Sequence, residues 1–129
     1  MNLKALLISC GLSILLVATG GCVVVAVGAA VGATGYAYVR GELKGTESAS
    51  LEKTWAAAQA AVKELEFHSV NLRKDAVEAE LEARTAKDTH VKIQLRRVSD
   101  ASTEVRIRVG MFGDQGISQT IRDKIKSKL

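Results

Sequence analysis

The chain contains no proline, and this absence limits how its parts can be connected. Proline-rich segments form stiff, extended linkers, so a linker of that type does not separate two domains here. Aromatic residues are scarce as well, at 4% of the chain, and Trp55 is the single tryptophan. The sequence also lacks internal repeats and long runs of like charge. Together with the length of 129 residues, these features predict one small domain.

Charge and reactive side chains are limited in the same way. The chain carries 18 Lys and Arg against 14 Asp and Glu, an excess too small for the basic stripe of a nucleic-acid-binding protein. His68 and His90 have no cysteine at metal-ligand spacing, so no metal site is predicted. Gly110 to Gly116 follows a strand pattern but lacks the lysine of a phosphate-binding loop. Because no nucleophile motif is present either, we expect neither an enzyme nor a cofactor.

The two cysteines differ in what precedes them. Cys22 follows a basic N-terminus, an apolar run over 5–18 and small residues over 19–21, a pattern typical of a bacterial lipoprotein signal peptide. Its thiol would receive a diacylglycerol, and cleavage would make Cys22 the first mature residue. Cys10 would follow only about five apolar residues, fewer than the roughly 7 to 15 of a signal peptide. An uncleaved membrane helix with an incidental cysteine is the alternative, because Thr19 stands where the cleavage box usually has leucine.

Cleavage before Cys22 would divide the chain into three parts. We predict a signal peptide over 1–21, a lipidated and apolar membrane-proximal segment over 22–40, and a periplasmic domain over 41–129. Cys22 would be the only cysteine left, so no intrachain disulfide can form, even in the oxidising cell envelope. The domain must therefore be stabilised by packing alone.

The segment after Cys22 has no charge over 23–39 and consists mainly of Val, Ala and Gly. A helix there would carry small residues four apart, which let another helix approach closely in lipid and would permit self-association. The alternative is a flexible apolar spacer. Tyr36, Tyr38 and Arg40 at its end suit either a membrane boundary or an opening strand. The candidate helix-packing residues are Gly28, Ala29, Gly32 and Ala33.

The predicted domain begins with a helix and ends with a helix. Ser50 is a plausible N-cap, and the apolar stripe that follows, with Trp55 as its largest member, is predicted to face the core. From Phe67 the period changes to two, which indicates strands. A helix would also suit the run over 77–83, but a strand places its three glutamates on one side. The stripes and alternations comprise Leu51, Trp55, Ala58, Val62 and Leu65; His68, Val70 and Leu72; Val77, Ala79, Leu81 and Ala83; Val91, Ile93 and Leu95; Val105, Ile107, Val109 and Met111; and Ile117, Ile121, Ile125 and Leu129.

These elements predict a two-layer α+β fold. Two one-sided helices and one-sided strands bury their apolar faces when both helices pack on one face of an antiparallel sheet of about four to five strands. An apolar N-terminal helical segment would precede this domain. A hairpin turn near Lys87 would place Glu82 opposite Lys92 and Glu78 opposite Arg96. Residues 113–116 are predicted to form a turn and the cap of the last helix.

The other face of that sheet is predicted to be charged. Glu78, Glu80 and Glu82 are interpreted as solvated ions opposed by cations, and not as catalytic acids. Arg96, Arg106 and Arg108 are the candidate residues for binding an anionic partner such as a glycan or an envelope protein. A solvated face without a ligand is the simpler alternative.

Several stretches of the chain resemble a family of uncharacterised Gram-negative lipoproteins that carries a domain-of-unknown-function label. They are Cys22 with the Gly/Ala-rich run, residues 38–43, Trp55 in its alanine-rich helix, residues 82–85 and residues 103–114. The resemblance covers nearly the whole mature chain and implies an envelope location and a small α+β domain, without catalytic residues. The order of elements is also similar to the helix-grip domains of a lipoprotein component of the outer-membrane β-barrel assembly machinery. That likeness is architectural only.

The resemblance also bears on where the protein resides. Val23 follows the cysteine in place of the aspartate that retains lipoproteins at the inner membrane, which implies the outer membrane, with the domain facing the periplasm. We expect a lipid-anchored, non-catalytic interaction module, because stable anchoring takes two signals and residues 22–39 would supply both. The alternative is a structural lipoprotein that assembles through its glycine-rich segment. Membrane lipid, an envelope protein or an anionic glycan are the expected partners, and nucleic acid is not.

Overall fold

A computed structural model describes residues 35–129. They form one compact unit of six strands and two helices, which confirms the predicted α+β class and adds at least one strand to the expected sheet. The predictions for the signal peptide, for Cys22 and for the small residues of the apolar segment lie outside the described residues. The elements are β1 (Tyr36–Val39), β2 (Glu42–Glu47), α1 (Leu51–Glu64), β3 (His68–Lys74), β4 (Glu78–Arg84), β5 (His90–Ser99), β6 (Ser102–Val109) and α2 (Gln115–Ser127).

The six strands form one antiparallel sheet in the order β1-β2-β6-β5-β4-β3. Strands β3 to β6 follow one another as a meander, while β2 pairs with β6 on its far side. Glu82 lies opposite Lys92 and Glu78 opposite Arg96, so the predicted register of the β4–β5 hairpin is confirmed. Both helices pack on the face formed by the alternate apolar residues of these strands, α1 over β4 and β5 and α2 over β2 and β6.

The hairpin of β1 and β2 lies ahead of residue 41, where the periplasmic domain was predicted to begin. Residues 35–40 are part of the described unit, which starts at Gly35. The strand interpretation of Tyr36 and Tyr38 is the one the structure shows, but the chain reverses after Val39. Arg40 and Gly41 both have positive φ, of 53° and 80°, the combination that a two-residue hairpin turn with primed geometry requires. Arginine is uncommon in that conformation, which hid the turn in the sequence.

The β1–β2 hairpin is joined to the core through Tyr36. Its ring covers Gly45 on β2, where any side chain would collide with the ring. Its hydroxyl donates a hydrogen bond of 2.9 Å to the buried carboxylate of Glu47. Burial, and then the charge of Glu47, raise the pKa of Tyr36 above its ordinary value. The guanidinium of Arg122 on α2 lies 4.9 Å from the ring centroid, a cation–π contact that ties this edge to the helix layer.

The buried core follows the predicted stripes with corrections at their ends. Leu51, Ala58 and Val62 are buried on α1, whereas Trp55 is only partly buried beside them. The prediction that Trp55 is the largest core residue of the stripe is therefore wrong. Val77, Met111 and Leu129 are exposed, and each lies outside the bounds of its strand or helix. The remaining core consists of Leu43, Ala57, Ala61, Ala79, Leu81, Ala83, Val91, Ile93, Leu95, Val105, Ile107, Val109, Ile121 and Ile125, together with Tyr36 of β1.

Side-chain caps begin both helices. The Ser50 hydroxyl accepts a hydrogen bond of 3.3 Å from the amide of Lys53, which confirms the predicted N-cap of α1. The Asp114 carboxylate accepts one of 2.9 Å from the amide of Ile117, so Asp114 caps α2 as predicted, while Gln115 and Gly116 already belong to the helix and not to a turn. Neither helix within 35–129 combines the length and the apolarity needed to cross a bilayer.

Strand β3 differs from its predicted form. A β-bulge between Ser69 and Asn71 shifts its register against β4, and the whole strand is exposed at the sheet edge. The expected shared face of His68, Val70 and Leu72 is interrupted by this bulge.

Candidate functional site

The open face of the sheet is the face on which no helix of residues 35–129 packs. Strand alternation sends every second side chain of β2, β4, β5 and β6 to this face, and the register aligns them in rows across the strands. Nearly all of these side chains are charged. The three rows, read from β2, are Glu42, Arg108, Lys92 and Glu82; Lys44, Arg106, Gln94, Glu80 and Arg73 of β3; and Thr46, Glu104, Arg96 and Glu78.

Glu104 of β6 is the centre of one ion-pair cluster on the open face. Its carboxylate lies 2.6 Å from Nε of Arg106 and 3.2 Å from Nη2 of Arg96. The ammonium of Lys44 on β2 lies 3.9 Å away. One carboxylate on a central strand therefore connects cations from three strands.

Glu80 of β4 is the centre of a second cluster. Its carboxylate contacts Nζ of Lys92 at 3.0 Å and Nη2 of Arg73 at 3.2 Å. The side-chain amide of Gln94 donates a further hydrogen bond of 3.0 Å. The two central carboxylates lie on opposite sides of β5, and each contacts several partners instead of forming an isolated pair.

Both central carboxylates are held in the ionised form. The hydrogen bond from Lys92 is the main cause that lowers the pKa of Glu80, against a smaller opposing effect of burial. For Glu104, burial acts most strongly and would raise the pKa, but the hydrogen bond and charge of Arg106, with Lys44 and Arg96, outweigh it and lower the pKa. Neither group has the raised pKa that suits a general acid at neutral pH.

Cations and carboxylates of the open face lie at different depths. The side chains of Glu104 and Glu80 are 13% and 15% exposed, whereas those of Arg96 and Arg73 are 54% and 70% exposed. Arginine and lysine are longer than glutamate, so on a shared face their charges extend farther from the backbone. A molecule that approaches the clusters around Glu104 and Glu80 therefore meets cations first, although the formal charges on this face are nearly balanced.

A shallow depression of ≈ 750 Å³ lies over the β3 side of the open face. Its charged lining has four basic residues, Arg73, Lys74, Arg96 and Arg106, and four acidic residues, Asp75, Glu78, Glu80 and Glu104. Leu72 from the edge strand adds an apolar border. The depression can hold a small polar group or part of a macromolecule, with guanidinium groups on two sides.

The three predicted arginines do lie on one face, but they are not equivalent. Arg96 and Arg106 share Glu104 and border the depression. Arg108 is farther along β6, where its Nη2 donates a 3.1 Å hydrogen bond to the carbonyl of Arg40 and its Nε lies 4.0 Å from Glu42. Arg108 therefore also supports the β1–β2 turn.

Sequence reasoning missed several members of this site. Glu104 lies on the same alternation as Arg106 but was not among the candidate residues, and neither was Arg73. Arg97, next to Arg96, points toward the helix layer instead, where it pairs with Glu52 at 2.8 Å. The alternation of β5 predicts this difference between neighbouring arginines.

Histidines and metal ligands complete the description of the site. His90 lies 3.8 Å from Glu82 at the end of β5, and His68 is exposed on the edge strand β3. Within 35–129, no group of three or more His, Cys, Asp or Glu side chains is arranged to hold a metal ion.

Comparison with family models places the chain. Residues 4–128 match the model described as "Protein of unknown function (DUF3568)". The chain belongs to this family. The match spans the domain and almost all of the preceding sequence, and it agrees with the resemblance to an uncharacterised family. Lipidation and the likeness to a lipoprotein of the barrel assembly machinery stay predictions.

Comparison with curated proteins gives no match. Among solved structures, the chain is similar to the di-domain ARO/CYC StfQ from the steffimycin biosynthetic pathway, at 18% identity and a TM-score of 0.33. The similarity covers 67% of this chain and 42% of that one, so the chain spans less than half the length of that neighbour. A similarity at this level carries no statement about the fold or function of the DUF3568 protein.

Proposed function

We propose that this DUF3568 protein is a lipid-anchored, non-catalytic interaction module of the bacterial cell envelope, and that its open face binds an anionic partner. The partner is an envelope protein or an anionic glycan. Acylation of Cys22 would attach the chain to membrane lipid, with the domain in the periplasm at the outer membrane.

The difference in depth between cations and carboxylates carries this proposal. Glu104 and Glu80 hold their cations in position from below, while the guanidinium groups of Arg96 and Arg73 stay accessible. Guanidinium groups bind carboxylate, sulfate and phosphate oxygens in a fixed planar geometry, which suits an anionic surface. Pairing with an internal carboxylate also orients each arginine before a partner arrives, which reduces the entropy lost on binding.

Capture of partners by the lipidated protein tests the open face. Replacing Arg96, Arg106 and Arg108 together with glutamine should abolish crosslinking to envelope components in native membranes. The matched control replaces three exposed helical lysines, Lys53, Lys63 and Lys126, with glutamine and should leave capture intact. Both variants lose the same charge, so a loss in both would indicate a general charge effect and contradict the site.

Salt dependence provides a second measurement on the same complexes. Wild-type capture should weaken as ionic strength rises, because exposed charges are screened over about 8 Å at physiological salt. A ladder of self-adducts in place of heterologous products would instead favour the structural lipoprotein that assembles through its glycine-rich segment.

The lipid anchor is tested separately. Cys22→Ala should leave a longer, unprocessed precursor that no longer incorporates labelled fatty acid, whereas Cys10→Ala should be processed and labelled normally. Normal processing of the Cys22 variant would contradict the anchor. Density-gradient fractionation then tests the location, and co-migration with inner-membrane markers would contradict outer-membrane sorting.

A further inference from the structure

Three large apolar side chains are exposed at one end of the sheet. Val39 is the last residue of β1, just before the β1–β2 turn, and the loop from β6 to α2 carries Met111 and Phe112. Met111 is 83% exposed and Phe112 is 90% exposed, the two highest values among the large hydrophobic residues of 35–129. We call these three residues the apolar tip.

The backbone of the apolar tip is fixed in place. Gly41 and Gly113 have positive φ, of 80° and 85°, and pack directly on each other, so a Cβ at Gly113 would overlap the Cα and carbonyl oxygen of Gly41. A Cβ at Gly41 would in turn lie 2.6 Å from the carbonyl oxygen of Phe112. Arg108 adds a hydrogen bond to the carbonyl of Arg40. Only glycine at both positions allows the two backbones to approach this closely. The contact between Gly41 and Gly113 therefore holds Met111 and Phe112 outward.

The charges around the apolar tip restrict what it can contact. Arg40 lies in the β1–β2 turn and is exposed. Lys87 is exposed in the β4–β5 turn. The Gly110 amide donates a 2.7 Å hydrogen bond to the carbonyl of His90, at the end of that turn. The acidic groups nearby have partners: Asp114 caps α2, Asp88 lies 3.3 Å from Arg84, and Glu42 lies 4.0 Å from Arg106 and from Arg108. Projecting apolar side chains with adjacent cations match a bilayer surface, where hydrocarbon lies beneath anionic headgroups. A protein partner would need a pocket shaped for the projecting loop.

The length of chain before the domain allows this contact. Gly35 lies 13 positions after Cys22, and a fully extended chain of that length spans about 45 Å. A lipid on Cys22 would therefore permit the apolar tip to reach the membrane surface, and it would raise the local concentration of the tip there.

We propose that the apolar tip inserts into the headgroup region of the membrane that holds the chain, with Met111 and Phe112 in contact with acyl chains and Arg40 at the anionic headgroups. This inference rests on the proposed lipid anchor. It adds an orientation, because insertion would direct the turns 40–41 and 110–113 toward the bilayer and leave the open face beside it, accessible to a partner.

Fluorescence quenching in vesicles tests the orientation in the full-length lipidated chain. In a Trp55→Phe background, Phe112→Trp places a single indole at the apolar tip. Val98→Trp is the matched control, since Val98 is an exposed apolar residue at the opposite end of β5 from His90. Vesicles of phosphatidylethanolamine and phosphatidylglycerol with brominated acyl chains quench only indoles that enter the bilayer. Circular dichroism confirms that both variants are folded.

Indole at position 112 should be quenched about twice as strongly as indole at position 98, with a blue-shifted emission, because only the former would lie at the bilayer interface. Flotation of the vesicles measures the anchor independently. Flotation with equal or absent quenching at the two positions would overturn the tip inference alone. Loss of flotation would overturn both the anchor and the tip, and a blue shift that requires added envelope protein would assign the tip to a protein partner instead.

Discussion

The two faces of the sheet are built from the same strands but are stabilised in different ways. On the face covered by the helices, Ile93 and Ile107 pair across β5 and β6 and are fully buried. One position away, Gln94 and Arg106 pair on the open face and contact charged groups. Burial of apolar area contributes most of the stability on the first face, whereas exposed ion pairs contribute about 0 to 1 kcal/mol each on the second. The open face can therefore change its residues without unfolding the domain.

The largest effect is expected from the covered face. Ile93→Ala should lower the free energy of unfolding by about 2 to 5 kcal/mol, because it leaves a cavity against Ile107 in the centre of the sheet. Gln94→Ala, the adjacent residue on the open face, is the control and should cost about 1 kcal/mol or less. Denaturant unfolding of both variants measures the difference. Equal losses would show that the two faces do not differ as described.

Tyr36→Phe should have the next largest effect. It removes the hydroxyl that donates to Glu47 and leaves a buried carboxylate without this donor, at a cost of about 1.5 to 3 kcal/mol. Tyr38→Phe makes the same chemical change on a ring that is only partly buried, and it should cost less. Thermal unfolding compares the two variants. A similar decrease in melting temperature for both would show that the hydrogen bond from Tyr36 to Glu47 makes no special contribution to stability.

Arg106→Gln should have a small effect on stability and a clear effect on ionisation. The loss in unfolding free energy should be about 1 kcal/mol or less, since the pair is partly exposed. The pKa of Glu104 should rise, because the hydrogen bond and charge of Arg106 are what outweigh its burial. Carboxyl titration by NMR measures this shift. Arg84→Gln is the control: it removes an exposed cation paired with Asp88 and should leave the pKa of Glu104 unchanged.

The smallest effect on stability is expected for an exposed ion-pair cluster of the helix layer, away from the sheet. Lys124 and Lys128 both pair with Glu64, and their hydrogen bonds lower the pKa of that carboxyl from 4.5 to about 2. Since the folded pKa is lowered, this contribution to stability is present above pH 4.5, falls as the pH drops below that value, and is gone below about 2. Lys124→Met should raise the pKa of Glu64 in an NMR titration. A titration near 4.5 in the wild-type chain would contradict the pairing.

The sequence was sufficient where a local rule had no competitor. Periods of 3.6 and 2 identified both helices and the central strands, and the short polar connection near Lys87 predicted the register of β4 against β5. The first hairpin was not predicted, because Arg40 adopts a positive φ that its residue type does not indicate. The exposure of Met111 was not predicted, because its alternation with Val109 continues past Gly110, where a φ of 71° ends the strand. Both errors come from backbone conformation, which side-chain patterns do not report.

For the candidate site, the sequence indicated the signs of charge and the face, and the structure supplied the rest. Arg96, Arg106 and Arg108 were placed on one face by alternation alone. That Glu104 serves two of them depends on which rotamers reach across β5 and β6, and that Arg73 joins Glu80 depends on the edge position of β3. Such contacts require the spacing between strands, which is a property of the assembled sheet.

The position of β6 in the sheet has a consequence for how the chain acquires its fold. β6 is the last strand in the sequence, yet it lies between β2 and β5. Glu42 can meet Arg108 only after nearly the whole chain is available, and such distant pairings slow folding because a long loop must close first. During synthesis, the first hairpin therefore lacks its neighbouring strand until residue 108 has emerged.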